Sequence, residues 1–238
     1  MDYSIIVPAY NEQEWLPRTL ARLHESMIAV DGGGEIIVVD NNSSDRTAQF
    51  AQEHGARVVF EPINQISRTR NAGAREARGK FLIFVDADTL VSPALLRAAI
   101  GRLENGCCGG GAGVAFDTPV APFGRGALAL WNWISRTSKL AAGCFIYCTA
   151  EGFRAAGGFS ESVYASEEIW FSQHLKNWGK QHGLRFEIIE EPRVVTSGRK
   201  LGWFSPLRIF FMLLLLAVFP PAVRFRSLCG YWYARPRE

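Results

Sequence analysis

The sequence predicts an α/β fold in which a mostly parallel sheet is flanked by helices. Two observations carry this. Over the first hundred residues, short apolar runs alternate with stretches of helical period, the pattern of strand–helix repeats that builds parallel sheets. The runs SIIVP, EIIVVD and FLIFVD also keep their interiors apolar without alternation, as strands covered on both faces do.

The elements follow in order. Ser4 to Pro8 is the first strand. Trp15, Leu16, Leu20 and Leu23 recur at helical spacing, and the glycines at 32–34 end that unit. Glu35 to Asp40 is the second strand, and Ser43 or Ser44 can cap a helix from about Asp45 to His54. Arg57 to Phe60 is a third strand, residues 67–77 a third helix and residues 81–88 a fourth strand. Pro93 opens a helix toward Glu104, in the first turn where its missing N–H costs nothing. The glycine-rich GCCGGGAG, 106–113, is not followed by GK[ST] and so is no phosphate-binding loop. It reads as a loop entering a strand near Val114 to Phe116. Residues 123–140 read as a helix, and 144–159 as a strand, a helical turn and a Gly-Gly break. Residues 166–180 form an amphipathic helix with Ser166 as N-cap, Glu167 and Glu168 in its first turn, and Ile169, Leu175 and Trp178 near one face.

The last stretch changes character. IFFMLLLLAVF, 209–219, is eleven uninterrupted apolar residues, with Arg208 before it and Pro220, Pro221, Arg224 and Arg226 after it. A spanning helix needs about 20 apolar residues. This length fits a hydrophobic helix lying in a membrane interface, and Tyr231, Trp232 and Tyr233 are aromatic in the manner of interfacial anchors. A helix packed against this domain or a partner is the other reading. The boundaries are therefore a domain over 1–200, divided at 105/106, and a basic-flanked hydrophobic tail over 201–238.

With 238 residues, 48% of them hydrophobic, the chain has material for a sizeable core, which excludes global disorder. A net charge of +3 is too weak to point to nucleic acid. Five cysteines without paired CxxC spacing read as reduced thiols. The first strand begins within a few residues of Met1 without a cleavage pattern. The expected location is cytoplasmic, peripheral at the cytoplasmic face of the membrane.

In such sheets ligands bind beyond the C-terminal ends of the strands. Tyr10, Asn11 and Glu12 follow the first strand, Asp40, Asn41 and Asn42 the second, and Asp86 and Asp88 the fourth. Three strands thus aim acid and amide groups at one edge. Asp86 and Asp88 repel each other unless a positive charge lies between them. Mg²⁺ or Mn²⁺ supplies one, since such ions are held by one or two carboxylates together with substrate phosphates.

SIIVPAYNE, IIVVDNNSSDRT and RTRNAGAREARGKFLIFVDADT together resemble the nucleotide-binding half of family 2 glycosyltransferases with the GT-A, Rossmann-like fold. GFRAAGGFSE and SEEIWFSQHLKNWG resemble that family's acceptor half, so the likeness covers roughly residues 3–180. It implies a metal-dependent, inverting transfer of a sugar from a nucleotide-diphosphate sugar, a UDP- or GDP-sugar. Pro8, Tyr10 and Glu12 would line the nucleotide pocket, and Asp40 would hydrogen-bond the base. Arg70, or Arg68, would contact the nucleotide or diphosphate. Asp86 would touch ribose or metal, and Asp88 would be the direct metal ligand.

The family's base stands second in an acidic pair. Here the pair is Glu167-Glu168, which makes Glu168 the aligned base and leaves Glu167 as its competitor. TSGRK, 196–200, is placed to neutralise the leaving diphosphate through Arg199 or Lys200. The acceptor is a glycan or, as the tail suggests, a lipid-linked molecule. A nucleotidyltransferase would want a glycine-rich basic loop after the first strand, where PAYNEQE is acidic and glycine-free. A non-catalytic sugar-nucleotide-binding or membrane scaffold protein, the remaining alternative, is expected to have lost one of the carboxylates.

Overall fold

The structure is a computed structural model that describes residues 1–203, 205, 207–208, 211, 214–215 and 218–233, without the side chains of residues 200, 220, 231 and 232. Its eight strands form one sheet: β1 (Tyr3–Ala9), β2 (Gly34–Asp40), β3 (Arg57–Phe60), β4 (Phe81–Val85), β5 (Thr89–Leu90), β6 (Cys107–Phe116), β7 (Phe145–Thr149) and β8 (Arg185–Thr196). The spatial order is β3-β2-β1-β4-β7-β6-β8-β5. β3, β2, β1 and β4 run parallel. β7 is antiparallel to both β4 and β6, β6 and β8 are parallel, and β5 is antiparallel to β8. The sheet is therefore mixed, with its parallel half formed by the first four strand–helix units.

Alternate residues of the inner strands enter two separate cores. Ile5, Val7, Ile36, Val38, Ile83 and Val85 pack on one face with Leu16, Leu20 and Leu23 of α1 (Leu16–Ile28) and Leu95 and Leu96 of α4 (Pro93–Glu104). Ile6, Ile37, Val39, Leu82 and Phe84 face the other way. There they meet Ala72 of α3 (Ile66–Glu76), Phe153 of α6 (Ala150–Ala155), and Phe171 and Leu175 of α7 (Glu167–Gln181). Burial on both faces is why these runs carry no polar alternation.

Several local expectations are corrected. The glycine-rich run 106–113 is not a loop: it forms most of β6, which extends to Phe116. β6 lies between β7 and β8 so tightly that a Cβ on Gly110 would sit 1.8 Å from the Glu187 carbonyl oxygen and 2.5 Å from the Tyr147 hydroxyl. Glycine is there for backbone approach. α2 (Thr47–Glu53) is not capped by Ser43 or Ser44. Asn11 N–H donates to Ser43 Oγ (3.0 Å), and Ser44 N–H donates to Asn11 Oδ1 (2.8 Å), which ties the loop after β1 to the loop after β2. Ser166 precedes α7 with a left-handed φ of 62° and makes no side-chain cap. The packed face of α7 is Phe171, Ser172, Leu175 and Gly179, with Trp178 beside it and Ile169 outside it.

α5 (Pro122–Ser138) follows β6, and α8 (Lys200–Trp203) follows β8. The expected apolar helix over 209–219 lies largely outside the described residues. Within it Phe211, Leu214, Leu215 and Val218 are helical and exposed. Among the described residues no helix is long and apolar enough to cross a membrane. Beyond it the chain returns to the domain: Val223 and Cys229 pack with Val163 and Ala165, and Tyr233 packs with Tyr164.

Candidate active site

A cleft opens beyond the C-terminal ends of β1, β2 and β4. Pro8, Tyr10 and Glu12 line it from β1, Asn41 from β2, Thr69 from α3, and Asp86 and Asp88 from the turn after β4. Trp203 and Tyr233 close it from the far end of the chain. The aspartate turn is held from three sides. Asp86 N–H donates to the Cys144 carbonyl (3.2 Å), Thr19 Oγ1 donates to the Ala87 carbonyl (2.8 Å), and Ser197 N–H donates to the Asp88 carbonyl (3.2 Å).

The positive charge facing each aspartate is an arginine of the chain itself. Arg70 is buried and spends its fork on three acceptors: Glu167 Oε1 at 2.7 Å, Asp86 Oδ1 at 3.1 Å and the Gly143 carbonyl at 2.8 Å. Burial works against its charge, but Asp86, Glu167 and Glu168 together hold its pKa above the ordinary value. Arg199 forms the second cluster. Its terminal nitrogen lies 2.7 Å from both Glu12 oxygens and 3.1 Å from Asp88 Oδ2. The guanidinium stands over the rings of Trp15 (4.9 Å) and Trp203 (5.5 Å), within cation–π reach of both.

Other expected residues lie differently. Asp40 is buried, accepts from Ser43 N–H at 3.1 Å, and does not line the cleft. Its neighbour Asn41 does, and Asn41 is fixed by donating to the Glu61 and Ile63 carbonyls and accepting from Gln65 N–H. Arg68 pairs with Glu61 and Glu161, so Arg70 is the arginine that reaches the acids. The Lys200 side chain lies outside the described residues.

The two glutamates at the start of α7 lie in different environments. Glu167 is locked to Arg70, whereas burial and then the charge of Glu167 push the Glu168 carboxyl up to about 8, with Arg70 pulling the other way. A carboxylate poised there suits proton transfer near neutral pH. Asp86 and Asp88 are the cleft carboxylates that could hold a divalent cation. Among the described residues no group of three or more His, Cys, Asp or Glu side chains forms a closed cage. Two carboxylates are the sparse donor set that Mg²⁺ or Mn²⁺ completes with phosphate and water oxygens, so the residues fit such an ion only in company with a diphosphate.

Trp15, Trp203 and Tyr233 have no place in the sequence-based site, and Asn41 stands there only as one strand-end amide among several, with no role assigned. Tyr233, whose hydroxyl accepts from Ile66 N–H at 3.4 Å, reads from sequence only as an interfacial anchor.

Comparison with known proteins matches residues 4–149 to the family described as glycosyl transferase family 2. An uncharacterized glycosyltransferase of Mycobacterium bovis is 35% identical over 103 residues, 43% of this chain and 44% of that protein. The dolichol-phosphate mannosyltransferase of Pyrococcus furiosus is 32% identical over 114 residues, 44% of this chain and 31% of that protein. The match thus spans less than half the length of these relatives. The mannosyltransferase PcManGT of Pyrobaculum calidifontis, solved in complex with GDP-Man and Mn²⁺, superposes with a TM-score of 0.63 at 20% identity, covering 94% of this chain and 64% of that one. This last likeness shows the fold.

Proposed function

The chain belongs to glycosyl transferase family 2, and from that premise we propose that it moves a sugar, with inversion, from a nucleoside-diphosphate sugar to an acceptor at a membrane surface. The observation that carries this reading is the Asp86–Asp88 turn facing a cleft lined from β1, β2 and α3. Glu168 does not line that cleft but lies close enough to Asp86 and Arg70 for their charges to act on its carboxyl. Residues 1–105 hold the nucleotide and residues 106–200 the acceptor. Asn41, Pro8 and Tyr10 form the walls for a uridine or guanosine, with Asp40 holding the loop behind them through Ser43.

A divalent ion bound by Asp88 and Asp86 would neutralise charge on the diphosphate. Arg199, on the segment that reaches Asp88, is the chain's own cation for the leaving diphosphate. Glu168 takes the proton of the acceptor hydroxyl, while Glu167, fixed by Arg70, orients the first turn of α7. The exposed Leu214, Leu215 and Val218 support the reading of the tail as a membrane contact at the cytoplasmic face. The dolichol-phosphate specificity in the name of the Pyrococcus relative supports a lipid-linked acceptor. A phosphate acceptor is already ionised and would depend less on Glu168.

Calorimetric titration of UDP and of GDP, each with and without Mn²⁺, tests the donor site. One nucleotide should bind the wild-type chain only when Mn²⁺ is present, and Asp88→Ala should weaken that binding at least about tenfold, by loss of a charged ligand. Binding of neither nucleotide, or equal binding by Asp88→Ala, would sink the reading and bring the scaffold alternative forward.

A further inference from the structure

α5 is covered by the domain along little of its length. Of its 17 residues only Gly124 and Ser135 are buried. Leu128 and Trp131 pack toward the core, yet the opposite side is apolar as well: Phe123, Leu130 and Trp133 are 38%, 57% and 57% exposed. Positions 130 and 133 are neighbours on a helix surface, and 123 lies two turns earlier on the same side. A domain helix ordinarily turns a polar face outward.

Along the sequence the charge of this helix and of the tail has one sign, although Glu190 of β8 stands beside Trp133 and Arg136 in space. Between Asp117 and Glu151 the sequence holds Arg125, Arg136 and Lys139 and no acidic residue. From Pro192 to Arg237 it holds eight arginines and lysines and again no acid, over the stretch that exposes Leu207, Leu214, Leu215 and Val218. The two segments meet, because a Cβ on Gly124 would lie 3.0 Å from Leu201 Cδ1. A groove lined by Val120, Phe123, Leu201 and Gly202 runs between them, with Arg199 on its wall.

We propose that the outer face of α5 is a second membrane-docking surface, which lies on an anionic lipid bilayer beside the tail. Exposed Leu, Phe and Trp rimmed by arginines is the chemistry of a helix seated at the headgroup boundary. The same surface is ill suited to a second copy of the chain, since a two-fold contact would bring the basic residues on and just after one α5 (Arg125, Arg136 and Lys139) against the basic residues of the other. Glu190 meets Arg136 at 3.4 Å, but both are more than half exposed, and a pair so solvated yields readily to a headgroup phosphate. The inference extends the membrane contact proposed for the tail and does not depend on the transfer chemistry.

The test is co-sedimentation of the full chain with vesicles of phosphatidylcholine containing one-quarter phosphatidylglycerol, and with phosphatidylcholine alone. The wild-type chain should prefer the anionic vesicles and lose them as salt rises. Leu130→Glu with Trp133→Glu should weaken partitioning at least about tenfold. If this pair changes nothing while Leu214→Glu with Leu215→Glu releases the protein, the α5 surface is refuted and the tail contact survives. Wild-type protein that ignores both vesicles overturns both, and a wild-type dimer that the α5 pair splits with no lipid effect overturns the α5 surface. Hydrogen exchange on the unmodified chain guards against misfolded variants: anionic vesicles should slow exchange over residues 122–138, and unchanged exchange there overturns the inference.

Discussion

Replacing Glu168 by Gln is expected to lower kcat by about 10²- to 10⁴-fold, the usual contribution of a positioned general base, while nucleotide binding stays within about twofold of wild type. The geometry separates it from its neighbour. Glu167 is committed to Arg70 at 2.7 Å, so its lone pairs serve a structural ion pair. Glu168 has its carboxyl lifted to about 8 by burial and by the Glu167 charge. A base must be ionised to accept a proton, so kcat should rise with pH and level off above about 8.

The same displacement has a sign for stability. The ordinary pKa of this carboxyl is 4.5 and its folded value is about 8, so between these the folded state holds a proton that the unfolded state has released. Its contribution to stability is full below the lower value and is lost as pH rises through the folded one. Denaturation of wild type and Glu168→Gln at a series of pH values should therefore show this slope in the first and not in the second. A Glu168→Gln enzyme with near-normal kcat would refute the assignment for a hydroxyl acceptor.

The other large effect belongs to Arg70. Arg70→Met should destabilise the fold by about 3–5 kcal/mol, because it leaves Glu167, buried, and Asp86, partly buried, without their counter-ion. For a domain of this size that corresponds to a fall in Tm of roughly 6–20 °C. Arg70→Lys should recover only part of it, since one ammonium cannot serve Glu167, Asp86 and the Gly143 carbonyl in the planar geometry that the guanidinium provides. A melting temperature for Arg70→Met within about 2 °C of wild type would mean that the cluster contributes no more than a surface pair.

β1, β2 and β4 are legible in the sequence because burial on both faces leaves an apolar run that ends abruptly in polar residues. Those endings also made Glu12, Asp86 and Asp88 legible, and the double glutamate marked the start of α7. Only the end of β6, near Val114 to Phe116, is legible, and its glycine-rich part is not, for an equally physical reason: where backbone must approach backbone the residue is glycine, and glycine reads as a loop. β8 hides because RFEIIEEPRVVT mixes charge and proline into a strand near the sheet's edge. Arg70 looked like a phosphate contact, and its place as the buried hub of three acceptors needed coordinates. The closure of the cleft by Trp203 and Tyr233 joins residues more than a hundred positions apart, which no local periodicity records.

Arg199 would make the cleft behave as an ion exchanger toward a divalent cation. With one nitrogen set between Glu12 and Asp88, the cleft already holds a resident cation, tethered to the chain and clasped by two indoles. An ion bound at Asp88 would have to displace it, so the affinity for Mn²⁺ would be the difference between two occupancies. Arg199→Ala should then bind Mn²⁺ more tightly than wild type in the absence of nucleotide, as read by the paramagnetic signal of the free ion, and unchanged affinity would show that the two cations do not compete. A guanidinium so displaced would be free to pair with the phosphates of an incoming nucleotide, so that loading of the site and release of Arg199 from Glu12 and Asp88 would be a single exchange.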